Sequence, residues 1–310
     1  MQFRLRPFFS RFAYLALMLF LSIALIPTAL AKSSLSPIAD FMKEMYGKGN
    51  YSCNITDTRA TCTSNVAKDL DSVRLDNLSL YASMSGKRAT FSVVGMFSPK
   101  GRGNTAEDKA VRAMLPRKVE CTFDVNLNAS ILNQDFFCKA NHDPYDVKIK
   151  FYVDLKHKGF VGASGIKQAM SSIDANADQE KLLKELFIKI KAIEVEIDST
   201  QPKLSEAIYD AVSAYEPNIT KSEYEGSVAI FASMVPIFLA SADKLSSETK
   251  ESVSKIGLNL SEIALAKKKY ISVILKNKLN NFMRVEEFID LEQDDLLFLL
   301  NQSEITVKSK

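Results

Sequence analysis

The chain has 310 residues, 46% hydrophobic and 25% charged, ordinary values for a globular protein with one large domain or two small ones. Its net charge of +3 arises entirely within residues 1–31, which contain three arginines and no acidic residue. The remainder carries 37 basic and 37 acidic residues, so bulk charge gives no reason to expect nucleic acid or anionic lipid as a partner.

The first 31 residues have the three parts of a secretory signal peptide. The three arginines precede the apolar run Tyr14–Ile26, and Ala29-Leu30-Ala31 offers small residues for cleavage. The apolar run is shorter than the roughly 20 residues that a spanning helix needs, which disfavours the alternative of an uncleaved anchor. We therefore predict cleavage after Ala31, a periplasmic or secreted protein, and no transmembrane span in the mature chain.

The four cysteines lie outside the signal peptide and indicate disulfides. Three pairings are open, but Cys53 and Cys62 lie on either side of a predicted hairpin turn, as do Cys121 and Cys138. Residues that face each other across a strand pair are close enough for a disulfide. We therefore predict Cys53–Cys62 and Cys121–Cys138. The alternative, a zinc site using His142, lacks the closely spaced ligand pairs that structural zinc usually has.

Residues 32–200 are predicted to be mainly β. Ser36-Pro37 begins a short amphipathic helix, after which strands dominate. In "VECTFDVNL", starting at Val119, apolar and polar residues alternate, as in an antiparallel sheet with one solvated face. A helical insert begins with a capping box formed by Thr105 and Asp108.

Two strands contain a slip in this alternation. In "FIKIKAIEVEID", Ile188 and Ile190 have one phase and Val195 and Ile197 the opposite one. A β-bulge near Ala192 would return all of them to one face and bend the strand. "VRLDNLSL", starting at Val73, slips in the same way. We predict an α+β fold with a strongly curved antiparallel sheet, an open half-barrel, packed with helices. The alternative is a sheet that passes from one covering helix to another.

Residues 201–310 are predicted to be mainly helical and to pack on the sheet, possibly within one continuous domain with the preceding part. Thr220 and Glu223 form a capping pair for a helix whose segment Val228–Ala240 is apolar almost all round. Such a helix must be buried or inserted, and we predict that it lies in the concavity of the sheet; an interfacial membrane segment is the alternative. Further on, 254–266 and 268–278 have strand-like patterns, and 285–302 has a helical one.

Motifs for catalysis, metals or cofactors are missing. The segment Gly162–Gly165 has neither nucleophile-elbow nor P-loop spacing. A calcium-loop pattern runs from Asp174 to Glu185, with Asn176 and Asp178 between, but Gln179 stands where the turn needs glycine. We predict a protein that is not an enzyme, with no catalytic residue, no metal and no cofactor.

The hairpin "CNITDTRATC", between Cys53 and Cys62, and the alternating strands up to residue 97 resemble the surface-lipoprotein type represented by jejuni lipoprotein A. The resemblance implies an open half-barrel with an apolar concave face and a role in the cell envelope and adhesion. No lipobox cysteine follows the signal peptide, so the resemblance does not extend to lipid anchoring. It carries over no functional residues.

These patterns lead to two hypotheses of function. The first is an exported, non-enzymatic envelope protein that binds a hydrophobic ligand, a lipid or acyl chain, on the curved sheet. The second is a protein–protein interaction or adhesion module, with an envelope protein as partner and a concave face filled by the apolar helix. The candidate ligand-lining residues are Ile188, Ile190, Val195, Ile197, Phe231 and Phe238.

Overall fold

A computed structural model describes residues 35–70, 73–99, 105–142, 145–171, 184–199, 203–289, 297 and 299–310. The predicted signal peptide and the calcium-loop positions Asp174, Asn176 and Asp178 lie outside the described residues.

Twelve strands are described, and all belong to one sheet. They are β1 (Ser52–Ile55), β2 (Arg59–Ser64), β3 (Lys68–Leu70), β4 (Val73–Ser85), β5 (Arg88–Pro99), β6 (Lys118–Asn128), β7 (Ile131–Asn141), β8 (Tyr145–Lys156), β9 (Phe187–Ser199), β10 (Tyr270–Asn277), β11 (Met283–Arg284) and β12 (Ser303–Ser309).

The described helices are α1 (Ser36–Tyr46), α2 (Ala106–Met114), α3 (Ile166–Ser171), α4 (Lys203–Tyr215), α5 (Lys221–Ala240), α6 (Ser247–Ala264) and α7 (Val285–Ile289), with a 3₁₀ turn at Lys158–Phe160. Thr105 and Asp108 cap α2, and Thr220 and Glu223 cap α5, in reciprocal capping boxes. Both predicted caps are confirmed.

The sheet is open and antiparallel, with the order β1-β2-β4-β5-β6-β7-β8-β9-β10-β12; β3 pairs with β4 and β11 with β9. The prediction of an α+β fold with a large antiparallel sheet is confirmed. Turns of two residues join β4 to β5 and β6 to β7, which makes these sequential strands neighbours. Gly86, in the two-residue turn between β4 and β5, has φ 54°, the left-handed region that such hairpin turns require and glycine adopts at little cost.

Both disulfides form as predicted. Cys53 lies directly opposite Cys62, and Cys121 directly opposite Cys138. All four sulfurs are therefore committed to disulfides, which rules out the zinc alternative. Two disulfides indicate an oxidising extracellular or periplasmic location.

The register shifts in two places, as the phase slips predict. On β9, Ala192 faces Tyr152 but Ile190 faces Val153, so Lys191 is an extra residue. On β4 the extra residue is Asp76. The bulge at Lys191 brings Ile188 and Ile190 to the same face as Val195 and Ile197, opposite the apolar residues of β8.

The helices cover the apolar face of this sheet in two separate places. In the first core, Ile38 and Met42 of α1, together with Phe160 and Ile166, pack against β2 and β4 to β7. In the second core, Leu204 of α4 and Ile263 of α6 pack with residues of β8 to β10 and β12. The two cores thus lie over different parts of one face.

The region after residue 200 differs in part from its prediction. Residues 254–266, predicted as a strand, belong mostly to helix α6, which Ser246 caps. The strand predicted over 268–278 is present as β10. Within 285–302, predicted as helical, α7 covers Val285–Ile289 and residues 297 and 299–301 are also helical, while 290–296 and 298 lie outside the described residues. Because β10 pairs with β9, one sheet crosses the predicted boundary at residue 200.

Candidate functional site

An apolar strip runs along the sheet between the two cores. The side chains of the strip lie on the face that carries both cores, and neither core includes them. Each of them is partly exposed. We call this set the apolar strip: Ile149 and Val153 on β8, with Ile188, Ile190, Ile193 and Val195 on β9.

Cross-strand pairing holds the strip together. Ile149 faces Val195, and Val153 faces Ile190. Phe151, which belongs to the edge of the first core, faces Ile193 between these two pairs. At about 3.4 Å per residue, the strip extends roughly 20 Å along β9. Such a length and composition suit contact with an extended hydrocarbon chain.

The predicted ligand-lining residues divide into three places. Ile188, Ile190 and Val195 lie in the apolar strip, whereas Ile197 packs at the edge of the second core. Phe231 and Phe238 lie on α5 and are each 60% exposed.

The opposite face of the same strands is polar. Lys150 donates to Glu194 across β8 and β9 at 2.8 Å, and Lys148 pairs with Glu196 beside it. These pairs are directly opposite in the register, where opposite charges stabilise a strand pair. The sheet therefore has one apolar and one charged side, and the strip lies on the apolar side, between the parts that the helices cover.

The bulge residue Lys191 forms an ion pair with a buried carboxylate. Its ammonium lies 3.0 Å from Asp154, whose side chain is only 9% exposed. Asp154 also accepts a hydrogen bond of 2.6 Å from Asn133. A buried carboxylate needs such partners because burial removes its hydration. The extra residue thus both realigns the strip and neutralises Asp154.

The second apolar surface is the outward face of α5. We call it the α5 stripe, and its members are Ile230, Phe231, Met234, Ile237 and Phe238, exposed between 39% and 68%. Only Tyr224 of this helix is buried. The prediction that Val228–Ala240 lies buried in the concavity is therefore wrong.

Contact with α6 explains how α5 is held. Val235 packs against Gly257 of α6 so closely that a Cβ there would lie 3.0 Å from it. Tyr224 donates to the carbonyl of Ala264 at 3.4 Å. The sequence of α5 is apolar on all sides because one apolar face contacts α6 and another faces outward. Among the described helices, α5 alone is long and apolar enough to cross a membrane by length and composition.

The two histidines have structural surroundings. His142 is buried and stacks on Tyr145 with ring centroids 4.1 Å apart. Burial lowers its pKa to about 4, against smaller opposing effects of Asp146 and the backbone at Leu115 and Met114. Its Nδ1 is buried and has no hydrogen-bond partner. A neutral imidazole is the stable form here.

His157 lies at the end of β8. Its Nδ1 accepts a hydrogen bond of 3.1 Å from Gly159, and its Nε2 lies 3.5 Å from Glu185. Glu185, the last calcium-loop position, also binds Lys158 at 2.8 Å. In the described residues, no three His, Cys, Asp or Glu side chains converge as a metal site would require.

Two small pockets lie near the turn between β4 and β5, with volumes of about 180 and 250 Å³. Both are lined in part by Thr58, Met84 and Ser85. They are smaller than the roughly 300–1,000 Å³ of ordinary ligand sites. The two apolar surfaces, not these pockets, are the candidate binding sites.

Compared with known proteins, the chain matches no family model and no curated protein.

Proposed function

We propose that the protein is an exported, non-enzymatic binding protein that holds the hydrocarbon chain of a lipid or fatty acid along the apolar strip. The observation that carries this proposal is the placement of six partly exposed aliphatic side chains between two separate helical cores. Removing that surface from water contributes roughly 25 cal/mol of binding free energy per Å². Binding of this kind needs no catalytic group and no cofactor.

The proposal includes a curved sheet. A β-bulge bends its strand and increases the local twist, and the extra residues Asp76 and Lys191 stand on two well-separated strands, β4 and β9. We expect the apolar face to be concave as a result, so that a bound chain is flanked by the two cores. The open half-barrel implied by the resemblance to the jejuni lipoprotein A type describes the same shape.

Displacement of a bound fluorescent fatty acid by hexadecanoic acid tests this function in the mature, oxidised protein. In the double variant Ile190→Thr/Val195→Thr, each change removes on the order of 1 kcal/mol of apolar contact. Affinity should fall at least tenfold. Ile274→Thr is the matched control because Ile274, on β10, faces Glu194 on the charged side.

Equal affinity of the double variant and the wild type would contradict the proposal, as would a wild-type protein that binds no fatty acid. The alternative, an interaction or adhesion module, predicts that result together with crosslinking of the protein to an envelope partner in intact cells. This alternative was based on a concave face filled by α5. Because α5 is exposed, that basis is lost.

A further inference from the structure

We propose that the α5 stripe docks the protein onto a lipid bilayer, with α5 lying in the plane of the interface. This inference rests on α5 and not on the apolar strip, and it goes beyond the binding of a single hydrocarbon chain. It identifies a membrane surface as the partner of the five exposed apolar side chains that α5 groups on one face.

The spacing of the stripe gives α5 one continuous outward face. Positions 230, 231, 234, 237 and 238 repeat every three or four residues, so their side chains align along the helix. Ile230 and Ile237 are 63% and 68% exposed, and Phe231 and Phe238 60%. Soluble proteins rarely expose a contiguous apolar patch of several large side chains unless it contacts a membrane or a partner.

Charge is confined to the beginning of α5, where Lys221, Glu223 and Glu225 lie, and is missing from the rest of the helix. The 17 residues from Gly226 to Ala242 include no Asp, Glu, Lys or Arg. The nearest charged residues are Glu225 before this segment and Asp243 after it. Protein interfaces normally surround an apolar centre with a polar rim, whereas α5 itself carries charge only before Gly226. A bilayer, by contrast, takes up the apolar face of a helix and leaves charged groups outside, which here include Glu251 and Lys255 of the neighbouring α6.

The small residues beside the stripe favour the same partner. Gly226, Ala229, Ser233 and Ala240 follow one another at helical spacing, and all four are exposed. They leave the large side chains projecting beyond the helix surface. Side chains that project in this way can enter the boundary between lipid headgroups and acyl chains, about 5–10 Å deep.

Helix α6 determines that α5 lies on the membrane and does not span it. It packs alongside α5 through Gly257, and its Lys250 donates to the carbonyl of Ala240 at the end of α5. Glu251 and Lys255 of α6 form an ion pair with each other and are exposed. If α5 crossed the bilayer, these charged groups would have to enter the hydrocarbon beside it, which is costly.

A second copy of the chain is a weaker candidate for the same surface. A phenylalanine that is 60% exposed leaves roughly 90–150 Å² in contact with water. The five side chains of the stripe therefore offer on the order of 500 Å², whereas a stable dimer needs about 800 Å² from each partner. A bilayer has no such requirement for a complementary surface.

The chain contains no tryptophan, which permits a clean fluorescence test on the mature, oxidised protein. In the variant Phe238→Trp, emission should shift to the blue on mixing with vesicles of zwitterionic phosphatidylcholine, and lipids brominated on their acyl chains should quench it. Because the stripe carries no charge, added salt should leave the shift unchanged. Phe41→Trp is the matched control, since Phe41 is 40% exposed on α1, and its emission should not change.

Flotation with the same vesicles gives the second measurement. The variant Phe231→Ser/Ile237→Ser should lose at least tenfold in its partition coefficient, while Val161→Ser, at a residue 68% exposed, should keep the wild-type value. Circular dichroism checks that each variant is folded. Hexadecanoic acid binding should survive in the α5 variant, so failure of docking and failure of the apolar strip are distinguishable.

Three results would overturn the proposal. The first is a wild-type protein that does not float with phosphatidylcholine vesicles. The second is equal flotation of the wild type and Phe231→Ser/Ile237→Ser. The third is a concentration-dependent dimer, seen in sedimentation, that the same variant abolishes while vesicles bind neither protein; that result would assign the stripe to a second copy.

Discussion

The buried imidazole of His142 should make the fold sensitive to mild acid. In the unfolded chain the imidazole takes up a proton near its ordinary pKa of 6.5, whereas burial lowers the folded-state pKa to about 4. As the pH falls from 6.5 towards 4, the unfolded state is protonated first. The free energy of unfolding therefore decreases over this interval. At neutral pH the imidazole is uncharged in both states, so His142 causes no loss of stability there.

The magnitude follows from the two pKa values of 6.5 and about 4. At 1.36 kcal/mol for each tenfold change in proton affinity, the loss amounts to about 3 kcal/mol, which is a large part of the stability of an ordinary domain. Asp146 opposes this effect, as do the backbone groups of Leu115 and Met114, and all are already included in the pKa of about 4.

The perturbation is His142→Phe, which keeps an aromatic ring against Tyr145 and removes the titrating group. Urea unfolding followed by circular dichroism at several pH values between about 4 and 7.5 gives the stability of both proteins. The difference between variant and wild type should grow in favour of the variant by about 3 kcal/mol as the pH falls. Tyr145→Phe is the control, because burial raises the pKa of that phenol, so it does not titrate in this range.

A difference between His142→Phe and the wild type that stays constant with pH, within about 0.5 kcal/mol, would refute the reasoning. The imidazole would then be exposed to solvent or paired in a way that the stacking on Tyr145 excludes. A pH-dependent difference for Tyr145→Phe would show that disruption of the stack, and not titration, is being measured.

Three further changes should alter stability in ways that thermal or urea unfolding can measure. Opening the disulfides, which close loops of 9 and 17 residues, should cost about 2.6 and 3.1 kcal/mol in the chain-entropy model, and equal melting of reduced and oxidised protein would contradict this. Gly165→Ala places a Cβ 2.7 Å from the carbonyl oxygen of Gly86 and should lower the stability by about 1–3 kcal/mol. Gly226→Ala is the comparison: a Cβ there meets open space in helix α5 and should raise the stability by up to about 1 kcal/mol. Lys191→Ala leaves buried Asp154 with fewer partners and should cost about 1–3 kcal/mol. Lys255→Ala is the comparison, because its ion pair with Glu251 is exposed.

The features that the sequence predicts well are local ones. The disulfide pairs join neighbouring strands, so a hairpin turn alone places Cys53 opposite Cys62. The bulge on β9 is predictable because alternation along a strand has a fixed period of two, and a slip in apolar phase requires an extra residue. The register identifies that residue as Lys191, one position from the predicted Ala192.

The errors arise where long-range contacts decide. Ile256, Leu258 and Leu260 alternate like a strand, yet they lie on α6, where Leu258 and Leu260 are 42% exposed. The helix is fixed instead by its cap at Ser246 and by the burial of Ile263 against the sheet. Apolar composition likewise predicts that α5 needs cover, but it does not tell which partner provides it.

Residues 200–269, which include α4, α5 and α6, separate two strands that are neighbours in the sheet. Only two residues separate β4 from β5 or β6 from β7, whereas 70 separate β9 from β10. Closing the longer loop costs about 3 kcal/mol more in chain entropy, so we expect the hairpins to fold early and the pairing of β9 with β10 to form late. Until then β9 is an unprotected edge, and the newly made chain would be most prone to aggregate at the strand that carries most of the apolar strip.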